Sequence, residues 1–99
     1  ARARARSGAA KALTLLDLRY NKIGDEGLRH LSDALARGAA PALVTLWGHE
    51  NEIGDEGVRL LGDALARGAA PALKTLGLSA NPASDDAKQA LRDALKNRK

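Results

Sequence analysis

Apolar residues follow two different spacings in the first third of the chain. Residues 12–18 form a short apolar run that alternates at its end, which predicts a brief β-strand. After a turn over residues 21–27, Leu28, Leu31 and Leu35 recur at the three-to-four-residue spacing of one helix face. The pattern therefore predicts a strand, a turn and a returning helix.

This unit recurs with a period of 30 residues. Copies at residues 8–37, 38–67 and 68–99 keep their leucine, asparagine and aspartate columns in phase. A single copy cannot cover its own apolar faces, so we expect the three copies to stack into one domain. Residues 1–7, which precede them, are interpreted as an Arg/Ala tail or as the end of a truncated preceding helix.

The predicted helices carry signals at both ends. Asp25, Asp55 and Asp85 lie where an N-cap oxygen would accept hydrogen bonds from the first free N–H groups. Gly38 and Gly68 follow the first two helices, where glycine can take the left-handed conformation that ends a helix. The helices are therefore predicted to begin just after each aspartate.

An asparagine follows each predicted strand, at Asn21, Asn51 and Asn81. A side-chain amide both donates and accepts, so it can satisfy backbone groups that a bend leaves free. We expect this column to be structural and not a row of ligand-binding amides.

The strand and turn of the first copy match a known repeat consensus. Leu13, Leu16, Leu18, Asn21 and Ile23 stand at its defining positions, so the chain resembles the leucine-rich repeat family. The Gly-Asp-Glu-Gly turn at 24–27 resembles the ribonuclease-inhibitor type of that family. The resemblance implies an α/β solenoid, with short parallel strands on the concave face and helices on the convex face. It implies protein recognition on the concave face, but not ribonuclease inhibition.

The second copy departs from the pattern in its core. Gly48 stands where Leu18 and Leu78 stand in the other copies. The missing side chain predicts a gap in the core, unless the strand distorts or another group fills the space. On that interpretation, Gly48→Leu would stabilise the fold.

The two ends of the array differ. Pro82, Ala83 and Lys88 make the outer face of the third copy polar, which gives it the character of a C-terminal cap. No comparable cap precedes the first strand, whose edge beside Leu13 and Leu16 is bare. We therefore expect self-association through the N-terminal end, in a symmetric arrangement that closes.

Candidate binding residues are those that vary between copies and point away from the core. Strand side chains alternate, so residues between the core leucines face the concave side. The predicted partner-binding patch comprises Asp17, Arg19, Tyr20, Trp47, His49 and Glu50. Trp and Tyr are enriched among binding hot spots, which makes Trp47 a candidate anchor; alternatively, Trp47 plugs the space at Gly48.

Composition narrows the possible functions. The chain has 99 residues, no cysteine and a net charge of +4, with the positive excess at its two ends and no aromatic residue interleaved with it. That distribution argues against a nucleic-acid partner. Neither a membrane span nor a signal peptide is encoded, which favours a cytoplasmic location.

Catalysis is not predicted. Asp17, His49 and Ser79 share one face, but an open face lacks the pocket and the oxyanion hole that a catalytic triad requires. We expect no cofactor and no metal site, because three exposed ligands of mixed type bind a metal poorly. The sequence thus predicts a non-enzymatic protein-interaction module. The alternative is a structural or self-assembling unit, whether a fragment or a minimal or designed repeat, whose only partner is itself.

Overall fold

A computed structural model describes residues 12–98, so the predicted tail at 1–7 lies outside the described part. Its elements are, in order, β1 (Leu15–Asp17), α1 (Asp25–Ala36), β2 (Thr45–Trp47), α2 (Asp55–Ala66), β3 (Thr75–Gly77) and α3 (Asp85–Asn97). The strands are parallel in the order β1-β2-β3, with Leu16, Leu46 and Leu76 in register. Helix α2 packs between α1 and α3. The predicted α/β solenoid is confirmed.

The core lies mainly in the middle copy. Its largest fully buried side chains are Leu43, Leu46, Ile53, Val58, Leu61 and Leu65. The corresponding leucines of β1 and β3, Leu16 and Leu76, are only partly buried. The middle copy is covered because it has a neighbour on each side. Since burying one such side chain contributes about 1.5–3 kcal/mol, the stacking of copies supplies much of the stability.

The predicted ends of α1 and α2 are confirmed. Gly38 and Gly68 have φ angles of 84° and 101°, in the left-handed region. After α1, the N–H of Gly38 donates to the carbonyl of Leu35 at 3.0 Å, and the N–H of Ala39 donates to Ala34 at 3.1 Å. This pair of bonds is the Schellman arrangement, in which a left-handed residue allows the last carbonyls to be satisfied.

The prediction that three aspartates serve as N-caps is wrong. Asp25, Asp55 and Asp85 are the first residues within their helices, and the N-cap positions belong to Gly24, Gly54 and Ser84. Only Ser84 caps its helix with its side chain, through an oxygen that accepts from Ala87 N at 3.1 Å. Helices α1 and α2 have no such bond.

The aspartates of α1 and α2 act on the following copy instead. Oδ1 of Asp25 accepts hydrogen bonds from the backbone nitrogens of Gly54 at 2.6 Å and Gly57 at 3.1 Å, at the start of α2. Asp55 accepts in the same way from Ser84 N, at 2.6 Å. Each carboxylate therefore satisfies N–H groups of the neighbouring helix that have no partner within their own helix.

The structural role of the asparagine column is confirmed. Oδ1 of Asn51 accepts from Ile23 N at 2.9 Å, and its Nδ2 donates to the carbonyl of Leu18 at 2.8 Å. Asn81 repeats the arrangement one copy later, where Ile53 N donates to its Oδ1 at 3.0 Å. Both side chains are buried, and both tie the turn of their own copy to the turn before it.

The expected core gap at Gly48 is almost closed. A Cβ atom built on Gly48 would lie 3.0 Å from Cδ2 of Leu78 and 3.7 Å from Cδ1 of Ile53. The cavity that remains beside Gly48 measures only about 10 Å³. Side chains of the same and the following copy therefore occupy the space of the missing leucine, which is one of the alternatives that the sequence left open, and a leucine at position 48 would have to displace Leu78.

Candidate protein-interaction face

The side chains of the sheet alternate between the core and the concave face. Leu46 is buried, whereas its neighbours Thr45 and Trp47 in β2 are partly exposed. Asp17 of β1 lies opposite Trp47 in the parallel register, which brings both to the same face. The strands therefore place the predicted residues Asp17 and Trp47 side by side.

Arg19 joins these two residues into one cluster. Its Nε and Nη2 donate to the two carboxylate oxygens of Asp17 at 2.8 and 2.7 Å. Its guanidinium carbon lies 4.7 Å from the centre of the Trp47 ring, within the range of a cation–π contact. A two-point bond to a carboxylate holds a guanidinium in one orientation. We call Asp17, Arg19 and Trp47 the arginine cluster.

The arginine cluster perturbs the ionisation of its two charged members. Hydrogen bonds from the Arg19 side chain, and then from its backbone N–H, lower the pKa of Asp17 from 3.8 to about 2. The hydrogen bond to Asp17 raises the pKa of Arg19 in turn. Both residues remain charged near neutral pH, so the cluster is an ion pair covered on one side by an aromatic ring.

His49 packs against the backbone of Gly77 in the neighbouring strand β3. A Cβ atom built on Gly77 would lie only 2.3 Å from Cε1 of His49, which means that the imidazole rests directly on the Gly77 backbone. Nδ1 of His49 is buried and makes no hydrogen bond within the described part of the chain.

Tyr20 and Glu50 stand at the edge of this face. Both adopt left-handed backbone angles, with φ values of 61° and 60°. Their N–H groups continue the pairing between copies, donating to the carbonyls of His49 at 3.2 Å and Ser79 at 3.1 Å. Tyr20 is 74% exposed. Across residues 12–98, neither side chain makes a hydrogen bond or ion pair to the arginine cluster.

The alternative role of Trp47 as a plug finds no support in the packing. Leu78 and Ile53 lie against Gly48, and the small cavity beside Gly48 is lined by core leucines and isoleucines without Trp47. Trp47 instead contacts Arg19 on the concave side. The contact with Arg19 supports the interpretation of Trp47 as a binding residue, and the plug interpretation stays an alternative prediction.

Within the described residues, the candidate triad and the candidate metal ligands of the concave face are not assembled into a site. Both carboxylate oxygens of Asp17 bond to Arg19, so Asp17 does not orient His49 as a triad would require. Within residues 12–98, no group of three or more His, Asp or Glu side chains is arranged to hold a metal ion. His30 lies on the exposed surface of α1, 3.2 Å from Glu26.

Sequence reasoning missed two kinds of functional contact. The bonds from Asp25 and Asp55 to the next copy were assigned to the wrong helix, although the glycines that surround each aspartate were a usable signal of close approach. The side chain of Arg98, to which the sequence assigns no contact, reaches back to the carbonyls of Ala69 and Ala70. No local pattern around Arg98 indicates that contact.

The fold defines a class of protein: a tandem-repeat α/β solenoid with an open parallel sheet. A family model described as Leucine Rich repeat matches residues 11–32 and 50–62. Together with the repeating strand–helix unit, these matches support a leucine-rich repeat protein, and such repeats are generally non-enzymatic modules of protein interaction. The comparison with curated proteins finds no match. Within residues 12–98, no helix has both the length and the apolar character to cross a membrane.

Proposed function

We propose that this chain is a non-enzymatic protein-interaction module that binds its partner through the concave face. The arginine cluster is the observation that supports the proposal most directly. Arg, Trp and Tyr are the residue types that most often dominate binding energy at interfaces. Because Asp17 and Trp47 already hold the Arg19 side chain, little of its rotational freedom remains to be lost on binding.

The proposed interface comprises Asp17, Arg19, Tyr20, Trp47, His49 and Glu50. The arginine cluster and His49 form its centre, whereas Tyr20 and Glu50 contribute from the edge. Leu15, which is 45% exposed, adds apolar area at the β1 side. This mixture of a central aromatic anchor and surrounding polar groups is typical of protein interfaces.

We further propose that the repeats are of the ribonuclease-inhibitor type. The copies recur with a period of 30 residues, and each carries a helix of three turns or more on its convex side, 12 residues long in α1 and α2 and 13 in α3. The Gly-Asp-Glu-Gly turn of the first two copies starts these helices. The proposal concerns the geometry of the repeat and carries no ribonuclease-binding activity with it.

A peptide-display experiment tests the concave interface. Peptides selected from a random library against the full chain are measured with the parent, Trp47→Ala and Arg59→Ala. Arg59→Ala is the control, because Arg59 lies exposed on α2 and, within the described residues, its side chain bonds only to Glu56 and Asp63. We expect Trp47→Ala to weaken binding by ~2 kcal/mol, about 30-fold, with an unchanged circular dichroism spectrum. The proposal would be contradicted by peptides that bind Trp47→Ala as tightly as the parent but bind Arg59→Ala more weakly.

Self-association is the second candidate function, and the exposure of β1 favours it. This strand lies at the end of the described sheet, and Leu15 is the exposed large aliphatic side chain beside it. An apolar sheet edge is a template for a second strand. We propose that two copies pair there in a symmetric arrangement that closes.

Sedimentation velocity separates the two candidates. If the β1 edge pairs, the parent forms dimers at micromolar concentration and Leu15→Lys returns it to monomers. Thr75→Lys, at the equivalent exposed position of β3, should leave the dimer intact. A parent that stays monomeric at high micromolar concentration, with Trp47 open to fluorescence quenchers, contradicts self-association and favours a different protein as the partner.

A further inference from the structure

Within residues 12–98, the guanidinium group of Arg98 is held by backbone carbonyls. Its Nη1 donates to the carbonyls of Leu65, at 3.3 Å, and Ala69, and its Nη2 donates to those of Ala70 and Leu73, the latter at 3.3 Å. The four acceptors lie at the C-terminal end of α2 and in the loop that leads to β3. We call these four carbonyls the carbonyl cluster.

The chemistry of the carbonyl cluster fits a guanidinium group. The last carbonyls of a helix lack partners within it and carry the negative end of the helix dipole, which attracts a cation. A guanidinium is a planar fork with five N–H donors, so it can reach several carbonyls at once. An ammonium group concentrates its charge at one point and cannot span four separated acceptors in the same way.

The backbone shapes this site before Arg98 enters it. Gly68 and Ala70 have left-handed φ angles of 101° and 46°, which turn the loop so that successive carbonyls face a common point. Ala69 and Ala70 are buried, so the loop is held against the core. Burial lowers the pKa of Arg98, which indicates that its charged group is partly desolvated where it contacts these carbonyls.

The equivalent loop between the first two copies provides an internal comparison. There the residue equivalent to Arg98 is Gly68, which has no side chain. Residues 39–43 receive no side-chain hydrogen bond within the described residues, although this loop has the same sequence as residues 69–73. The arginine contact is therefore an addition to the repeat and not a property that every copy shares.

We propose that the carbonyl cluster is a guanidinium-binding site, occupied in this chain by Arg98 as an internal ligand. The occupied site ties the end of α3 to the end of α2 and so closes the C-terminal side of the solenoid. Removal of the Arg98 side chain opens the site to a free guanidinium or to an arginine of another molecule.

Chemical rescue tests the proposal with the full chain. The melting temperatures of the parent, Arg98→Ala and Arg92→Ala are measured alone and with ~10 mM methylguanidinium or methylammonium. Arg92 is the matched control, because it lies on α3, which Arg98 directly follows, and within the described residues its side chain bonds only to Gln89. We expect Arg98→Ala to melt ~4–8 °C lower than the parent, and methylguanidinium to recover part of that loss in this variant alone.

Amide chemical shifts provide a second readout that does not depend on stability. In Arg98→Ala, methylguanidinium should shift the amide signals of residues 69–73 in a saturable manner, while those of residues 39–43 serve as the reference in the same spectrum. The parent should show no such shift, because its site is filled. If Arg98→Ala does not fold, the same titration is made with Arg98→Lys.

Two results would overturn the proposal. One is an Arg98→Ala variant that melts like the parent and shows no saturable shift at residues 69–73. The other is equal rescue by methylammonium, which would mean that the carbonyls attract any small cation. A shift at residues 69–73 counts as binding only where it exceeds the shift at residues 39–43, because equal shifts would be unrelated to the removal of Arg98.

Discussion

A carboxylate oxygen of Asp25, at the start of α1, lies 3.1 Å from the backbone nitrogen of Gly57 in the first turn of α2. A side chain on Gly57 would collide with it, since a Cβ built there would be 2.7 Å from the same oxygen. The aspartate and the glycine are therefore matched across the interface between copies. A side chain of the first copy therefore satisfies backbone N–H groups at the start of the second helix.

Removal of this carboxylate should weaken the stacking of copies. We expect Asp25→Ala to lower the free energy of unfolding by about 1–2 kcal/mol, because two N–H groups at the start of α2 lose their charged acceptor. Asp85→Ala is the control at the equivalent position of α3, where the carboxylate bonds to no following copy in the described chain. Urea denaturation measures both variants, and equal losses would mean that only the helix dipole is involved.

Two glycines of α2 should respond in opposite directions to the same substitution. Gly57→Ala should destabilise the protein, because the new methyl group meets Asp25 and also Ile53, whose Cγ2 would lie 3.2 Å away. Gly62→Ala should stabilise it by up to about 1 kcal/mol, because alanine favours the helix and the nearest atom, Cδ1 of Leu91, is 3.5 Å away. Thermal unfolding of the pair checks this. If Gly57→Ala stabilised the protein, the Asp25 carboxylate would not lie against Gly57 in solution.

Gly48→Leu should destabilise the protein by about 1–3 kcal/mol, because its Cβ alone reaches within 3.0 Å of Leu78. The remaining cavity of about 10 Å³ cannot accept the rest of the side chain. A double-mutant cycle with Leu78→Ala checks the cause. On that background the added leucine should cost less than in the parent. Additive effects would show that the two positions do not compete for space.

Asp17 should titrate at unusually low pH. Because the hydrogen bonds from Arg19 lower the folded-state pKa from 3.8 to about 2, Asp17 favours folding above pH 4, and this contribution is lost as the pH falls toward 2. Asp17 is at the surface, so its own carboxyl ¹³C shift is the appropriate measurement. We expect a midpoint near 2 in the parent and a return toward 3.8 in Arg19→Gln.

Arg29→Gln is the control for this titration, because Arg29 pairs with Glu26 on α1 and leaves Asp17 untouched. Its Asp17 midpoint should match that of the parent. A low Asp17 midpoint that persists in Arg19→Gln would mean that the ion pair of the arginine cluster is absent in solution.

The sequence by itself determined the features that depend on a few neighbouring residues. The 30-residue period, the strand and helix of each copy, and the left-handed ends at Gly38 and Gly68 follow from local spacing and local backbone preference. The alternation that turns Asp17 and Trp47 away from the core is equally local, because it follows from the geometry of any strand.

The tertiary structure alone decided which groups meet across the copies. Asp25 is 29 residues from Gly54, and Arg98 is 28 residues from Ala70, so no local rule pairs them. Likewise, Leu78 fills the space at Gly48, and His49 covers Gly77. The reason is physical: backbone preference acts over a few residues, whereas these contacts depend on the distance and angle at which stacked copies settle, which the packing of all side chains sets together.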